Sequence, residues 1–130
     1  MKLGPRQKKW IKALRSGKYE QGEGALRDSY DKFCCLGVAC DIYDDSRWGI
    51  PRVKTKSGYF EYFYRYGKKG RESEVATKEV REYLGLRDGY GSRVDDPYGS
   101  LIEMNDEGKS FKRIANALEK NPERYFKESK

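Results

Sequence analysis

The sequence predicts an α+β domain of about five short helices packed with one small antiparallel β-hairpin. Three observations lead there. Residues 5–15 and 110–120 carry apolar side chains at three- and four-residue steps, between residues that start and stop helices. Residues 59–66 form an aromatic-rich run after the turn-forming TKSG, which reads as a strand. Apolar side chains are few but large: 36% of residues are hydrophobic and 38% charged, yet 14% are aromatic. So many rings argue against disorder. At 130 residues the chain is one domain, 1–130. A domain of this size buries roughly two-thirds of its unfolded surface, so it needs no metal or disulfide to fold.

The elements follow in order. Pro5 to Arg15 is the first helix, with proline in its first turn and Gly17 as a left-handed stop. Trp10, Ile11 and Leu14 share one side of it. Residues 16–30 hold three glycines and read as a loop, with a short extended piece at Ala25 and Leu26. KFCCLGVACDIY, residues 32–43, is the most apolar segment and too uniform to show a period. Its length and its small residues Gly37 and Ala39 favour a buried helix, with a buried strand as the alternative.

Ile50 and Val53 fall in a first strand and 59–66 in a second; GKKGRESE, residues 67–74, reads as a flexible connection. Val75 to Leu84 is a third helix, with Thr77 able to cap it and Gly85 to stop it. RDGYGSRVDDPYG is a loop. Ser100 and Glu103 have capping-box spacing and open a short helix that Gly108 ends. Ser110 caps the last long helix, Asn121 and Pro122 stop it, and Tyr125 and Phe126 fold back as an apolar end-piece.

The formal net charge is +7. Residues 1–20 hold seven Lys and Arg against Glu20, and residues 52–71 hold seven against Glu61. Such a surface favours anionic partners, or serves solubility alone. No apolar run approaches the ~18 residues of a membrane span, and the basic N-terminus lacks the apolar core of a signal peptide. Three cysteines, two of them adjacent, do not make a secreted disulfide framework. The expectation is a cytoplasmic protein with no membrane partner.

Absent histidine removes the usual triads, Cys–His dyads and most catalytic zinc sites. Cys34, Cys35 and Cys40 lack metal-ligand spacing and lie in an apolar segment, where thiols pack as small hydrophobes. GKS at 108–110 lacks the strand and the first glycine of a phosphate-binding loop. Asp44–Asp45, Asp95–Asp96 and Asn105–Asp106–Glu107 could hold a hard cation or act as an acid–base pair; solvated loops and helix caps are the simpler reading. Asn105 and Asp106 are expected to bond free backbone N–H groups between two short helices. No cofactor, metal site or catalytic residue is expected.

WIKALRSGKYEQGEGALR, KFCCLGVACDIY, EVREYLGL, SLIEMNDEGKSFKRIANALE and the closing NPERYF together resemble a family of small, uncharacterised phage and prophage proteins. The patterns that carry the likeness are W-x2-AL-x-SG-x-Y, CCLGVxCD and MND-x-G-x-SF. The likeness covers most of the chain and is poorest in the middle, where the aromatic hairpin and basic loop (46–74) lie. It implies a phage-encoded accessory protein acting in the cytoplasm of a bacterial host, by countering defence or inhibiting host machinery. It carries no catalytic residues.

Side chains alternate along a strand, so Phe60, Tyr62, Tyr64 and Tyr66 fall on one face and Tyr59, Glu61, Phe63 and Arg65 on the other. The mixed face should meet water. The aromatic face is either core or a stacking platform, and three tyrosine hydroxyls in a row favour a wet interface over a core. In the functional reading Tyr62, Tyr64 and Tyr66 stack a ligand while Arg65, Lys68, Lys69 and Arg71 hold its phosphates. Three functions remain: a non-enzymatic binder of an anionic ligand, a nucleotide signal or nucleic acid; a protein–protein inhibitor of a host factor through the same tyrosines; and a metal-dependent enzyme using the acids. A homo-oligomer is compatible with each.

Overall fold

Helix α2 (Cys35–Asp44) runs through the apolar interior, with Cys35 to Cys40 all buried. The computed structural model describes residues 1–54, 60–96 and 99–128. In it, helix α1 is Pro5–Arg15, α3 Lys78–Leu84, α4 Leu101–Asp106, α5 Phe111–Lys120 and α6 Pro122–Tyr125. A parallel pair joins β1 (Glu20–Gln21) to β2 (Lys32–Phe33), and β3 (Trp48–Lys54), β4 (Phe60–Tyr66) and β5 (Gly70–Glu72) make an antiparallel sheet in that order. The architecture is α+β, as the sequence predicts.

The helix ends follow local chemistry. Thr77, Ser100 and Ser110 each accept a backbone N–H from the third residue on: Val80, Glu103 and Arg113. Gly85 and Gly108 stop their helices at φ 78° and 90°, the left-handed region that glycine enters without penalty. GKS is thus a helix stop followed by a helix cap. Helix α2 begins at Cys35, capped by Cys34 Sγ, which accepts the Gly37 N–H at 3.4 Å.

The sequence alone misses some local structure. Residues 32–43 contain both alternatives, a two-residue strand and then the helix. The extended piece expected at Ala25 and Leu26 lies one residue on, as bridges from Arg27 to Phe33 and from Asp28 to Glu61. The connection expected at 67–74 is instead a three-residue hairpin turn closed by Tyr66↔Gly70, followed by β5. Gly67 makes the reversal at φ 56°, and a strand as short as GRE shows no alternation to read. The TKSG turn and Tyr59 lie outside the described residues.

One apolar cluster fills the interior. It draws Trp10, Ile11 and Leu14 from α1, Leu36, Val38, Ala39 and Cys40 from α2, and Phe111, Ile114, Ala115 and Leu118 from α5. Tyr125 and Phe126 fold back into it, Phe126 meeting Trp10 edge-to-face at 6.2 Å. Trp10 Nε1 donates to the Cys35 carbonyl at 3.0 Å. Gly37 lets α2 approach the backbone of Leu26 closely: a Cβ there would lie 1.7 Å from the Leu26 carbonyl oxygen. All three cysteines are buried and free; burial pushes the Cys34 thiol up to about 11, and the other two well above the ordinary range.

Asn105 is fully buried and bonded on both sides. Its Oδ1 accepts from Cys35 N–H and Gln21 Nε2, and its Nδ2 donates to the Gly22 carbonyl. Asp106 accepts from Gly24 N–H at 3.0 Å. Both bond free backbone donors, as expected, but those of a distant helix start and loop rather than of their own neighbourhood.

Candidate functional site

The aromatic strand β4 divides its side chains between core and surface. Tyr64 is fully buried, and its hydroxyl lies 3.0 Å from the carbonyl oxygens of both Cys40 and Asp44. The Asp44 carbonyl ends α2 and is among the final four that have no partner within a helix, while Cys40 lies one turn earlier and shares its carbonyl with the hydroxyl. The hydroxyl that seemed too polar for a core therefore finds acceptors at a helix end. Burial pushes its ionisation up, out of the ordinary tyrosine range. Trp48 packs edge-to-face on the Tyr64 ring at 4.9 Å. Tyr62 is half-buried, with the Arg27 guanidinium 4.1 Å over its ring and Trp48 at 6.4 Å. Tyr64 is therefore core and not part of the expected platform, and Tyr62 is half covered by Arg27 and Trp48. The alternation that aligns them also turns them toward α2 and the Arg27 loop.

Tyr66, last on that face, lies beyond the cover of α2 and is 41% exposed. Its ring rests over Gly70, where a Cβ would sit 2.4 Å from it. On the other face Arg65 is exposed, as expected, and donates to the carbonyls of Ser46 at 2.8 Å and Arg47 at 3.3 Å. Phe63 is half-buried rather than solvated, packed toward Gly49 and covered by the Arg71 guanidinium at 4.7 Å.

Five of the seven residues singled out in the sequence meet in one place. Arg65, Tyr66, Lys68, Lys69 and Arg71 line an open cleft of about 900 Å³, together with Asp44, Ser46, Arg47 and Glu79. The strand register explains the concentration of charge. Arg65 and Arg71 are direct cross-strand partners, and Lys68 and Lys69 occupy the turn between their strands. Like charges placed directly opposite destabilise a sheet. Among the described residues no carboxylate forms an ion pair with Arg65, Lys68, Lys69 or Arg71.

The two acids at the cleft edge are already engaged. Arg47 donates to Asp44 at 3.0 Å and to Glu79 at 2.7 Å. Hydrogen bonds from the Ser46 hydroxyl and Arg47 hold the Asp44 carboxyl below its usual range, so it is an anchor for Arg47 rather than a proton donor. Asp44, named in the sequence with Asp45 as a candidate acid, is here the anchor of Arg47, and no local pattern in the sequence marks Arg47 and Glu79. They reach the cleft because the β3–β4 register sets Trp48 opposite Tyr64, which brings the turn before β3 beside Arg65, and because α3 packs on α2.

Several other acidic groups also have structural partners. Asp41 accepts from the Tyr19 hydroxyl at 2.6 Å and Trp48 Nε1 at 3.0 Å, and Asp95 pairs with Arg124 at 3.6 Å. Among the described residues no three Cys, Asp or Glu side chains gather to hold a metal ion. No helix there is long and apolar enough to cross a membrane.

Comparison with curated proteins and with solved structures gives no match. A family model does match, over residues 5–122, nearly the whole chain and including the cleft. The chain belongs to the family described as a domain of unknown function (DUF8296).

Proposed function

We propose that this protein is a non-enzymatic binder of a phosphate-bearing ligand of nucleotide size, held in the cleft between the β4–β5 hairpin and Arg47. One observation carries the reading: four cations, two of them directly opposed across strands, converge on the cleft, and its two lining carboxylates, Asp44 and Glu79, are already bonded to Arg47 rather than to any of the four. A phosphate group supplies the missing charge. Lys68 and Lys69 meet it as mobile ammonium groups and Arg71 and Arg65 as planar forks. Tyr66 offers one exposed ring for a base to stack on, a contact worth ~1–3 kcal/mol.

A single ring and a volume within the ~300–1,000 Å³ of small-molecule sites favour a nucleotide over a long single strand. Burial of Tyr64 and partial cover of Tyr62 reduce the aromatic surface that the protein–protein reading requires. In the phage setting implied by the sequence resemblance, such a binder would sequester a nucleotide signal of the host cytoplasm.

The test is mass spectrometry of small molecules released on denaturing the purified protein, followed by titration with a panel of nucleoside triphosphates and cyclic dinucleotides. The combined variant Lys68→Ser, Lys69→Ser, Arg71→Ser should stay folded and lose binding. Tyr66→Ala should weaken base-bearing ligands and leave inorganic pyrophosphate unaffected. No release and no binding across the panel would refute the reading. Tighter binding of an oligonucleotide single strand, with a log–log salt slope of about −2 to −3 from three or four contacts, would make nucleic acid the ligand of this cleft.

A further inference from the structure

Helices α1 and α5 pack side by side and carry a second, larger concentration of charge. Arg6, Lys8, Lys9, Lys12 and Arg15 of α1 and Lys112, Arg113 and Lys120 of α5 stand against one carboxylate, Glu119. That is +7 on two helices, equal to the formal charge of the whole chain. Arg15 joins them, donating to Glu119 at 2.8 Å and to Asn116 at 2.7 Å. Lys8, Lys9, Lys12, Lys112, Arg113 and Lys120 are exposed and form no ion pair among the described residues.

Folding does not ask for this pattern. Neither helix has an acid in its first turn, where the macrodipole favours one, and α5 begins with Lys112 and Arg113 instead. Lys8 and Lys12 are one turn apart, a like-charge spacing that weakens a helix. Each feature costs a little stability, and each is relieved by an anionic partner.

The face also lacks what a single strand needs. The aromatic side chains of the two helices, Trp10 and Phe111, are buried, so no ring is offered to a splayed base. Lys8, Lys12 and Arg15 follow one another along the α1 edge that meets α5. The helix spans about 16 Å, against a duplex that presents one phosphate charge per ~1.7 Å of axis.

We infer that the α1–α5 face docks on the phosphate backbone of double-stranded nucleic acid, without reading its sequence. The face shares no residue with the cleft, and the inference stands apart from the ligand assigned there. The probe is a fluorescently labelled 20-base-pair duplex of mixed sequence, titrated at 50 and 200 mM salt beside a single strand of the same length. Wild-type protein should bind the duplex more tightly than the single strand, and equally for two unrelated sequences. In Lys8→Gln, Lys12→Gln, Lys112→Gln the salt-dependent loss of affinity should be smaller by about fortyfold, three contacts at ~0.9 each over a fourfold change in salt. Its melting temperature should not fall. The Lys68→Ser, Lys69→Ser, Arg71→Ser variant should bind the duplex as wild type does. Three results would overturn the inference: no duplex binding at 50 mM salt, a helix-face variant that binds as wild type, or a single strand held more tightly than the duplex.

Discussion

Replacing Tyr64 tests the division of the aromatic strand most directly. The ring is fully buried between Trp48 and the end of α2, and the hydroxyl is shared by the carbonyls of Cys40 and Asp44. Tyr64→Phe keeps the ring and leaves the Asp44 carbonyl without its donor; a lost buried hydrogen bond costs ~1–2 kcal/mol. Tyr64→Ala also opens a cavity, and truncating a buried aromatic costs ~3–5 kcal/mol, a large part of the ~5–15 kcal/mol that holds a typical domain together. In a domain this size 1 kcal/mol moves the melting temperature by about 3–5 °C. The Phe variant should therefore melt about 3–10 °C lower, and the Ala variant at least about 10 °C lower or remain unfolded. Tyr66→Ala, at the exposed end of the same face, should change melting by less than about 3 °C. Thermal denaturation followed by far-UV circular dichroism measures all three. A Tyr64→Ala protein that melts with the wild type would refute the assignment of this ring to the core.

Gly37→Ala places a methyl carbon against the Leu26 backbone, which cannot move aside as a side chain would. It should cost at least ~3 kcal/mol in urea denaturation, and a cost under 1 would mean that α2 and residue 26 are not in contact. Ser110→Ala should cost ~1 kcal/mol through loss of the bond from Arg113 N–H, with cleft binding unchanged; a binding loss without a stability loss would instead make Ser110 part of a site. Cys34, Cys35 and Cys40 should resist thiol reagents until the protein unfolds, and fast labelling of two of them in native protein would contradict their burial. Their raised ionisation also fixes a pH dependence. Each is protonated more firmly folded than unfolded, so the stabilisation is complete below the ~8.5 of a free thiol. It is lost as pH rises, for Cys34 through about 11. The melting temperature should fall steadily above pH 9, and a flat profile to pH 11 would count against it.

The sequence by itself determined most helix ends, because caps and stops are local chemistry, although α3 begins at Lys78 rather than Val75 and the short α6 was not read as a helix. Ser100, Ser110, Thr77, Gly85 and Gly108 act on backbone groups within a few residues of themselves, and spacing alone reveals them. It also determined that Arg65, Tyr66, Lys68, Lys69 and Arg71 would lie together, since a strand and the turn after it are contiguous. Only the tertiary structure decided which tyrosines are buried. Period-2 alternation places Tyr62, Tyr64 and Tyr66 on one face but cannot say where α2 ends beneath them. That end leaves Tyr64 over the terminal carbonyl of Asp44 and Tyr66 over Gly70 in the open. The meeting of Asp44, Arg47 and Glu79 was illegible for the same reason: the β3–β4 register and the packing of α3 on α2 bring them together at the cleft. The same holds for the charge on α1 and α5, a property of two helices about a hundred residues apart until a shared core sets them side by side.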